Sequence, residues 1–435
     1  MCVGSFVIGW SARPLDAGNT SAFSFEDSWL RMGVTDKMSE EIHHKRALGA
    51  VFITVFIDMV GFGMVVPILP TYAREFSASP GTIGVLVAVY SLAQLLLAPV
   101  VGRASDRWGR GPVIAATAAG GLVAYLTMGL AGSLVAVFAG RILSGACAAS
   151  TAAAQGVVAD VLPAERRAGG MAVVGAGIGL GIVLGPGVAS LLVALGGERL
   201  PFFAAAVLCA VNIVWALAAL PRRGGGTARA GMGLAEARTL PGLVPLLAVS
   251  AAVMVGFSMI DSQFPLFTAD RLGFGPVQNG LLFMYVGVLI VLVQFTATRW
   301  LSNRVGEVTL MSAGALILAL GAALVPFSQD WWFVALPAAL VAAGNATNAP
   351  STMAAISRVT PQDRQGVMFG VSQSVNAGAR VVGPVFGGWL FQQFVPSAPY
   401  VAAALVLVVA AAAAWALRGP ARTWMASQEE TGSHV

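Results

Sequence analysis

Four ionisable side chains stand inside otherwise apolar stretches of this chain: Asp58, Arg141, Asp261 and Arg380. A charge at the middle of a bilayer costs at least about 2.5–3.5 kcal/mol on insertion scales, and residues kept there commonly serve ion or substrate pathways. A carboxylate in such a place has a definite chemistry. Desolvation favours its neutral form and a nearby cation its charged form, so a group poised between the two loads and releases a proton. Asp58 falls near the middle of its stretch, Asp261 nearer one end. With Arg141, Asp58 reads either as a proton carrier or as half of a static buried ion pair. Six more polar residues inside apolar stretches, Tyr90, Gln94, Gln155, Gln263, Asn345 and Gln373, are candidates to line a cavity. An amide in such a place also serves as glue between helices. Phe62, Phe257, Phe264, Phe283, Tyr285 and Phe369 would supply apolar walls.

The elements that must position these residues are membrane helices. Of 435 residues, 57% are hydrophobic and only 10% charged, where a soluble protein has about 25% charged; mean hydropathy is +0.80. Apolar stretches long enough to cross a core of about 30 Å are read at 47–70, 82–101, 112–131, 133–157, 168–195, 200–220, 242–268, 279–299, 307–327, 331–357, 364–394 and 397–417. That predicts an all-α integral membrane protein with twelve transmembrane helices. Residues 1–40 lack any sustained period and read as a disordered tail. The short run Val3–Trp10 lacks a basic flank, so it does not read as a signal peptide, and Met38 reads as the functional start. The Gly- and Arg-rich stretch 221–241 reads as a linker between six-helix bundles at 47–220 and 242–417, with 418–435 as a tail.

The net charge of +5 and pI near 9.5 follow from topology and do not call for nucleic acid. If the first span starts in the cytoplasm, inner loops hold Arg103, Arg107, Arg110, Arg166, Arg167, Arg222, Arg223, Arg304, Arg358 and Arg364, against Arg74, Arg199 and Arg271 outside. Short loops rich in arginine stay cytoplasmic, so both termini are expected there, in a multi-pass protein of the plasma membrane facing an anionic leaflet. The three cysteines have no metal or disulfide spacing, and His43, His44 and His434 lie near the ends. No metal, cofactor or catalytic constellation is expected, and the chain is read as a monomer that is not an enzyme.

Three sets of marks recur along the chain. Pro163-Ala164-Glu165-Arg166 returns as Pro361-Gln362-Asp363-Arg364, and Gly185-Pro186 as Gly383-Pro384. The loop Gly102-Arg103-Ala104-Ser105-Asp106-Arg107-Trp108-Gly109-Arg110 has a faded copy in Asn303-Arg304-Val305-Gly306-Glu307. Three matches in register point to duplication of a six-span unit.

The loop from Gly102 to Arg110 closely resembles the signature loop between the second and third spans of the major facilitator superfamily. Gly181-Ile182-Val183-Leu184-Gly185-Pro186 resembles the motif of its drug–proton antiporters, although Ala189 and Ser190 stand where that family usually has a Gly pair. The run from Gly61 to Pro70, with Tyr90-Ser91-Leu92-Ala93-Gln94 and Arg141 in Gly140-Arg141-Ile142-Leu143-Ser144-Gly145, makes the first half most similar to the tetracycline–proton antiporters. Across the second half the similarity is weak. The resemblance implies two six-helix bundles around a cavity. It assigns Gly102, Asp106, Arg107, Gly109 and Arg110 to a cytoplasmic latch, with a close helix approach at Gly102. It also implies antiport of protons against a small amphipathic drug-like compound. Tetracycline exporters carry an acid in the third span where Ala124 stands here, which argues against tetracycline as substrate. The alternatives are a sugar or metabolite exporter of the same superfamily and, in another class, a non-transporting sensor or membrane enzyme.

Overall fold

Helix formation follows the apolar runs closely. The structure is a computed structural model that describes residues 34–148, 150–162, 166–220, 240, 242–298, 301, 304–360 and 365–420. The linker from 221 to 239, the C-terminal tail from 421 and the tail before 34 lie outside the described residues. The chain divides into the units Met1–Lys45, where the first helix starts, and Arg46–Val435, which holds all the other described helices.

Its helices are α1 (Val34–Val65), α2 (Leu69–Glu75), α3 (Pro80–Trp108), α4 (Arg110–Gly129), α5 (Leu134–Cys147), α6 (Ser150–Val161), α7 (Arg167–Gly196), α8 (Leu200–Ala219), α9 (Leu243–Leu272), α10 (Pro276–Val293), α11 (Glu307–Leu324), α12 (Trp331–Arg358), α13 (Gln365–Gln393) and α14 (Ala398–Ala416). The first helix begins at Val34, inside the stretch expected to be disordered; its apolar part is Arg46–Val65. Ends are set by ordinary capping chemistry. Ser79 accepts from the Thr82 N–H at the start of α3, and Asp330 accepts from the N–H groups of Trp332 and Phe333 at the start of α12.

Among the described residues nine helices are long and apolar enough to cross a membrane. The other three expected spans are helical but differ in kind. The fourth is broken into α5 and α6, of 14 and 12 residues. Helices α12 and α13 have the length but carry inward polar groups, Thr347, Asn348 and Ser351 on one and Ser372 and Asn376 on the other, all buried. Buried polar groups in a bundle lower mean hydropathy without exposing anything to lipid.

Helices α3 to α8 pack among themselves, as α4 on α5 and α8 and α3 on α5; α9 to α14 do likewise, as α9 on α13 and α14 and α11 on α12 and α14. Two long seams join the sets, α3 with α13 and α7 with α10, and α2 touches α9. The repeated Gly-Pro marks lie at these seams. A Cβ on Gly84 of α3 would collide with the Pro384 carbonyl oxygen; one on Gly280 of α10 would lie 2.7 Å from that of Pro186. The departure at Ser190 also has a reason. Its hydroxyl donates to the Val277 carbonyl at 3.0 Å, where its counterpart Gly388 presses against Pro80 instead. Gly109 and Gly306, matching positions of the faded repeat, both have positive φ, 95° and 83°, as N-caps of α4 and α11. Only glycine adopts that backbone cheaply.

One end of the molecule is tied across the two sets. Arg74 of α2 forms a two-pronged ion pair with Asp270 of α9, one prong at 2.9 Å. Gln392 Oε1 of α13 accepts from Ser79 Oγ at 3.0 Å and the Gly81 N–H at 3.1 Å. At the opposite end the ion pairs seen among the described residues stay within one set. Arg110 holds Asp106 at 2.7 Å and Asp160 at 2.9 Å, and Glu307 holds Arg358 at 2.9 Å.

Candidate functional site

Asp58 sits on α1 where three helices converge. Ser150 Oγ, at the start of α6, donates to its Oδ2 at 2.7 Å, and Asn212 Nδ2 of α8 donates to its Oδ1 at 2.7 Å. Ser150 and Asn212 are buried. The expected ion pair with Arg141 is not formed among the described residues. Arg141 is 3% exposed, lies with its guanidinium 4.4 Å from the centre of the Tyr90 ring, and leaves its Nε without a hydrogen-bond partner. The carboxylate is thus held by neutral donors. The break between α5 and α6 puts Ser150 there, and Gly145 lets α5 lie against the Tyr90 backbone.

Two small cavities flank the aromatic pair Phe62–Tyr90, whose ring centres are 5.1 Å apart. The first, about 40 Å³, is lined by Asp58, Ser150, Thr117, Ser144 and Tyr125 beside that pair. The second, about 70 Å³, is lined by Arg141, Asp261, Arg380, Ser91, Ser258 and Ser262 beside the same two rings. Each has room for ordered water and neither for a drug-sized molecule, whose pockets span about 300–1,000 Å³. All four charged residues singled out from the sequence therefore gather around one aromatic pair.

The polar residues expected to line the cavity fare differently. Tyr90 lines both. Gln263 is fully buried and bonds Ser262 Oγ at 3.1 Å and the Pro384 carbonyl at 3.5 Å, so it acts as glue between α9 and α13. Gln94 reaches the Ala148 carbonyl at 3.5 Å, at the α5–α6 break. Gln155 and Asn345 are half-buried and Gln373 exposed, all outside both linings. The sequence reading missed Ser150 and Asn212. Asn212 carried the same signal as the amides it did consider, a polar side chain in an apolar run.

The motif glycines divide in the same way. Gly181 and Gly185 let α7 lie on α1: a Cβ on Gly185 would be 2.8 Å from the Val60 carbonyl and from Gly63 Cα, and Pro186 meets α10 through Gly280. At Gly102 an added Cβ would meet open space. The close approach expected there is absent in this conformation, Arg107 is exposed, and among the described residues Asp106 pairs with Arg110 of its own segment.

The model of the major facilitator superfamily matches residues 51–304 and 246–433. The chain belongs to the major facilitator superfamily. It is 32% identical over 354 residues to the class C tetracycline resistance protein of Escherichia coli, covering 78% of this chain and 88% of that one. It is 21% identical over 359 residues to the quinolone resistance protein NorA of Staphylococcus aureus (strain COL), covering 81% and 91%. The tetracycline-exporter likeness thus runs well past the first half, where motifs alone had placed it. Among solved structures, the inward-facing, unoccupied form of a bacterial homologue of the human lysosomal transporter Spinster shares the fold, with a TM-score of 0.69 at 16% identity, covering 88% of this chain and 98% of that one.

Outside the spans, at the tied end, burial shifts the titration of a carboxyl. Glu198, between α7 and α8, is pushed up to about 7 by burial and, secondarily, by Glu75, against a hydrogen bond from Thr71. A carboxyl raised in the folded state stabilises fully below its ordinary range near 4.5 and loses that contribution as pH rises through about 7. The melting temperature should therefore fall between about pH 4.5 and pH 7 and level off above that. Glu198→Gln should flatten that fall and raise the melting temperature at pH 8 by on the order of 1–3 °C, a half-buried group being partly screened. Parallel pH curves for the two proteins would contradict this.

Proposed function

We propose that this protein exports a small, amphipathic, drug-like compound across the plasma membrane in exchange for protons, by alternating access. The two relatives named above are resistance proteins, and membership of a transporter superfamily favours a transport role over a sensor or an enzyme. The arginine-rich loops support a cytoplasmic position for the Asp106 end and both termini. The conformation is then inward-facing, tied outside through Arg74–Asp270 and Gln392. The loose Gly102 loop is what an undone cytoplasmic latch would look like. Gly102, Asp106, Arg107, Gly109 and Arg110 would engage the second set of helices when the inner side closes.

Asp58 is the observation that carries proton coupling. Among the described residues no cation pairs with it; its partners are a hydroxyl and an amide. Asn212 Oδ1 is buried without a partner. Turning that amide over would let it accept from a protonated Asp58, so both charge states find hydrogen bonds. The pair Phe62–Tyr90 forms a shared wall between this acid and the Arg141–Asp261–Arg380 cavity, a route by which protonation on one side can alter binding on the other. Each proton entering gains about 2.3 kcal/mol per 100 mV of membrane potential.

Two measurements test this. A panel of antibacterial compounds should show raised tolerance to at least one amphipathic compound when the protein is expressed in a host lacking its own efflux pumps. Purified protein in liposomes should then move that compound against its gradient when a pH gradient is imposed. Flux indifferent to the pH gradient would remove proton coupling, and no change in tolerance across the panel would remove drug export. Ala124, buried on α4 in place of the exporters' acid, leads us to expect no tetracycline tolerance.

A further inference from the structure

Arg141 and Arg380 come from α5 and α13, far apart in the chain and in different helix sets, yet both line the same cavity. The lining holds one carboxylate, Asp261, against these two guanidinium groups. No ion pair joins Asp261 to either arginine among the described residues. Arg141 is almost wholly buried and keeps an unused Nε, and its cation rests on an aromatic face, a weak partner compared with an anion. A buried cation short of hydrogen bonds is unfavourable unless something completes it. A guanidinium fork matches planar oxyanions better than any other group. The cavity therefore holds one unbalanced positive charge beside two rings, Phe62 and Tyr90.

Resting on the export reading above, we propose that the substrate is an aromatic monoanion, its carboxylate held between Arg141 and Arg380; the cavity of about 70 Å³ takes that group alone, so the ring lies against Phe62 and Tyr90 in a form in which the two helix sets stand further apart. Arg380 is the specificity residue. It stands outside every motif that places this chain in its family, and it brings a cation from the second half to a pocket whose other cation, Arg141, comes from the first. Asp261 reduces the charge to one, which disfavours dianions.

The test uses full-length purified protein and three probes of one shape: naphthalene-2-carboxylate, naphthalene-2-carboxamide and 2-naphthylmethylammonium. Binding is read by calorimetry without a membrane or a pH gradient. The carboxylate should bind about tenfold or more tighter than the other two. Arg380→Gln should remove that preference, bringing the carboxylate's affinity down to about that of the carboxamide, and Arg380→Lys should keep part of it. Melting curves confirm that both variants fold. Tightest binding of the ammonium probe, binding of none of the three, or an unchanged preference in a folded Arg380→Gln protein would each overturn the assignment. Failure of proton-driven export with the carboxylate preference intact would instead count against the coupling reading alone.

Discussion

Replacing Asp58 by asparagine is expected to abolish uphill export driven by a pH gradient while leaving downhill exchange of the same compound largely intact. The substitution keeps the shape of the side chain. The Asn212 amide can still donate to the new Oδ1, and the Ser150 hydroxyl can turn to accept from the new amide, so the junction of α1, α6 and α8 should hold. What is lost is the ability to exist in two charge states, which a proton carrier needs in every cycle. Concentrative uptake into inverted vesicles should drop by about 100-fold or more, the usual scale for removing an essential proton-transfer group. Exchange of labelled for unlabelled compound should change by less than about threefold. An Asp58→Asn protein that still concentrates the compound on a pH gradient alone would falsify the assignment, and Asp261, the other span acid on a cavity wall, would be examined next in the same way.

Gly84→Val should be nearly as damaging, for a steric reason. The added Cβ would run into the Pro384 carbonyl and come within 3.2 Å of Gly388 Cα. Both neighbours are backbone of α13, so relief requires the helices to part. Overpacking of this kind costs about 1–3 kcal/mol, enough to shift a two-state equilibrium by about fivefold to 100-fold. The conformation tied at the Arg74 end should lose population, and turnover should fall by at least about tenfold. A cysteine placed at Ala78, buried at that end next to Ser79, should become markedly more reactive toward an impermeant maleimide added from outside. Gly102→Ala is the matched control: its Cβ meets open space here, so it should leave that labelling unchanged. Wild-type turnover in Gly84→Val would show that the α3–α13 seam is not needed for the cycle.

Some features of this protein are properties of the chain read along one dimension. Whether a segment crosses a bilayer depends on its summed hydropathy, and which loop stays inside depends on a count of arginines. The all-helical membrane fold, nine of the spans, the family and the four span charges were therefore legible. The repeat was legible too, although its charged part was faint for a reason now visible. In the first set Arg110 at the start of α4 meets Asp160 at the end of α6; in the second, Glu307 at the start of α11 meets Arg358 at the end of α12. The pair is kept with its signs exchanged, so residue matching sees little where Coulomb's law sees the same contact.

Side-chain partners could not be read that way. Gln263 and Asn212 carry one signal, an amide in an apolar run. The rotation and tilt of each helix send the first to a carbonyl on α13 and the second to the Asp58 carboxylate. Asp58's two donors lie 92 and 154 residues away, and the obvious cation, Arg141, turns to Tyr90 instead. The sequence by itself determined that charges would be buried in the membrane, because burial follows from the hydropathy of the surrounding run. Only the tertiary structure decided that Asp58 would be left with neutral donors and that Arg141 and Arg380 would share one cavity, because those outcomes depend on angles between helices that no local pattern encodes.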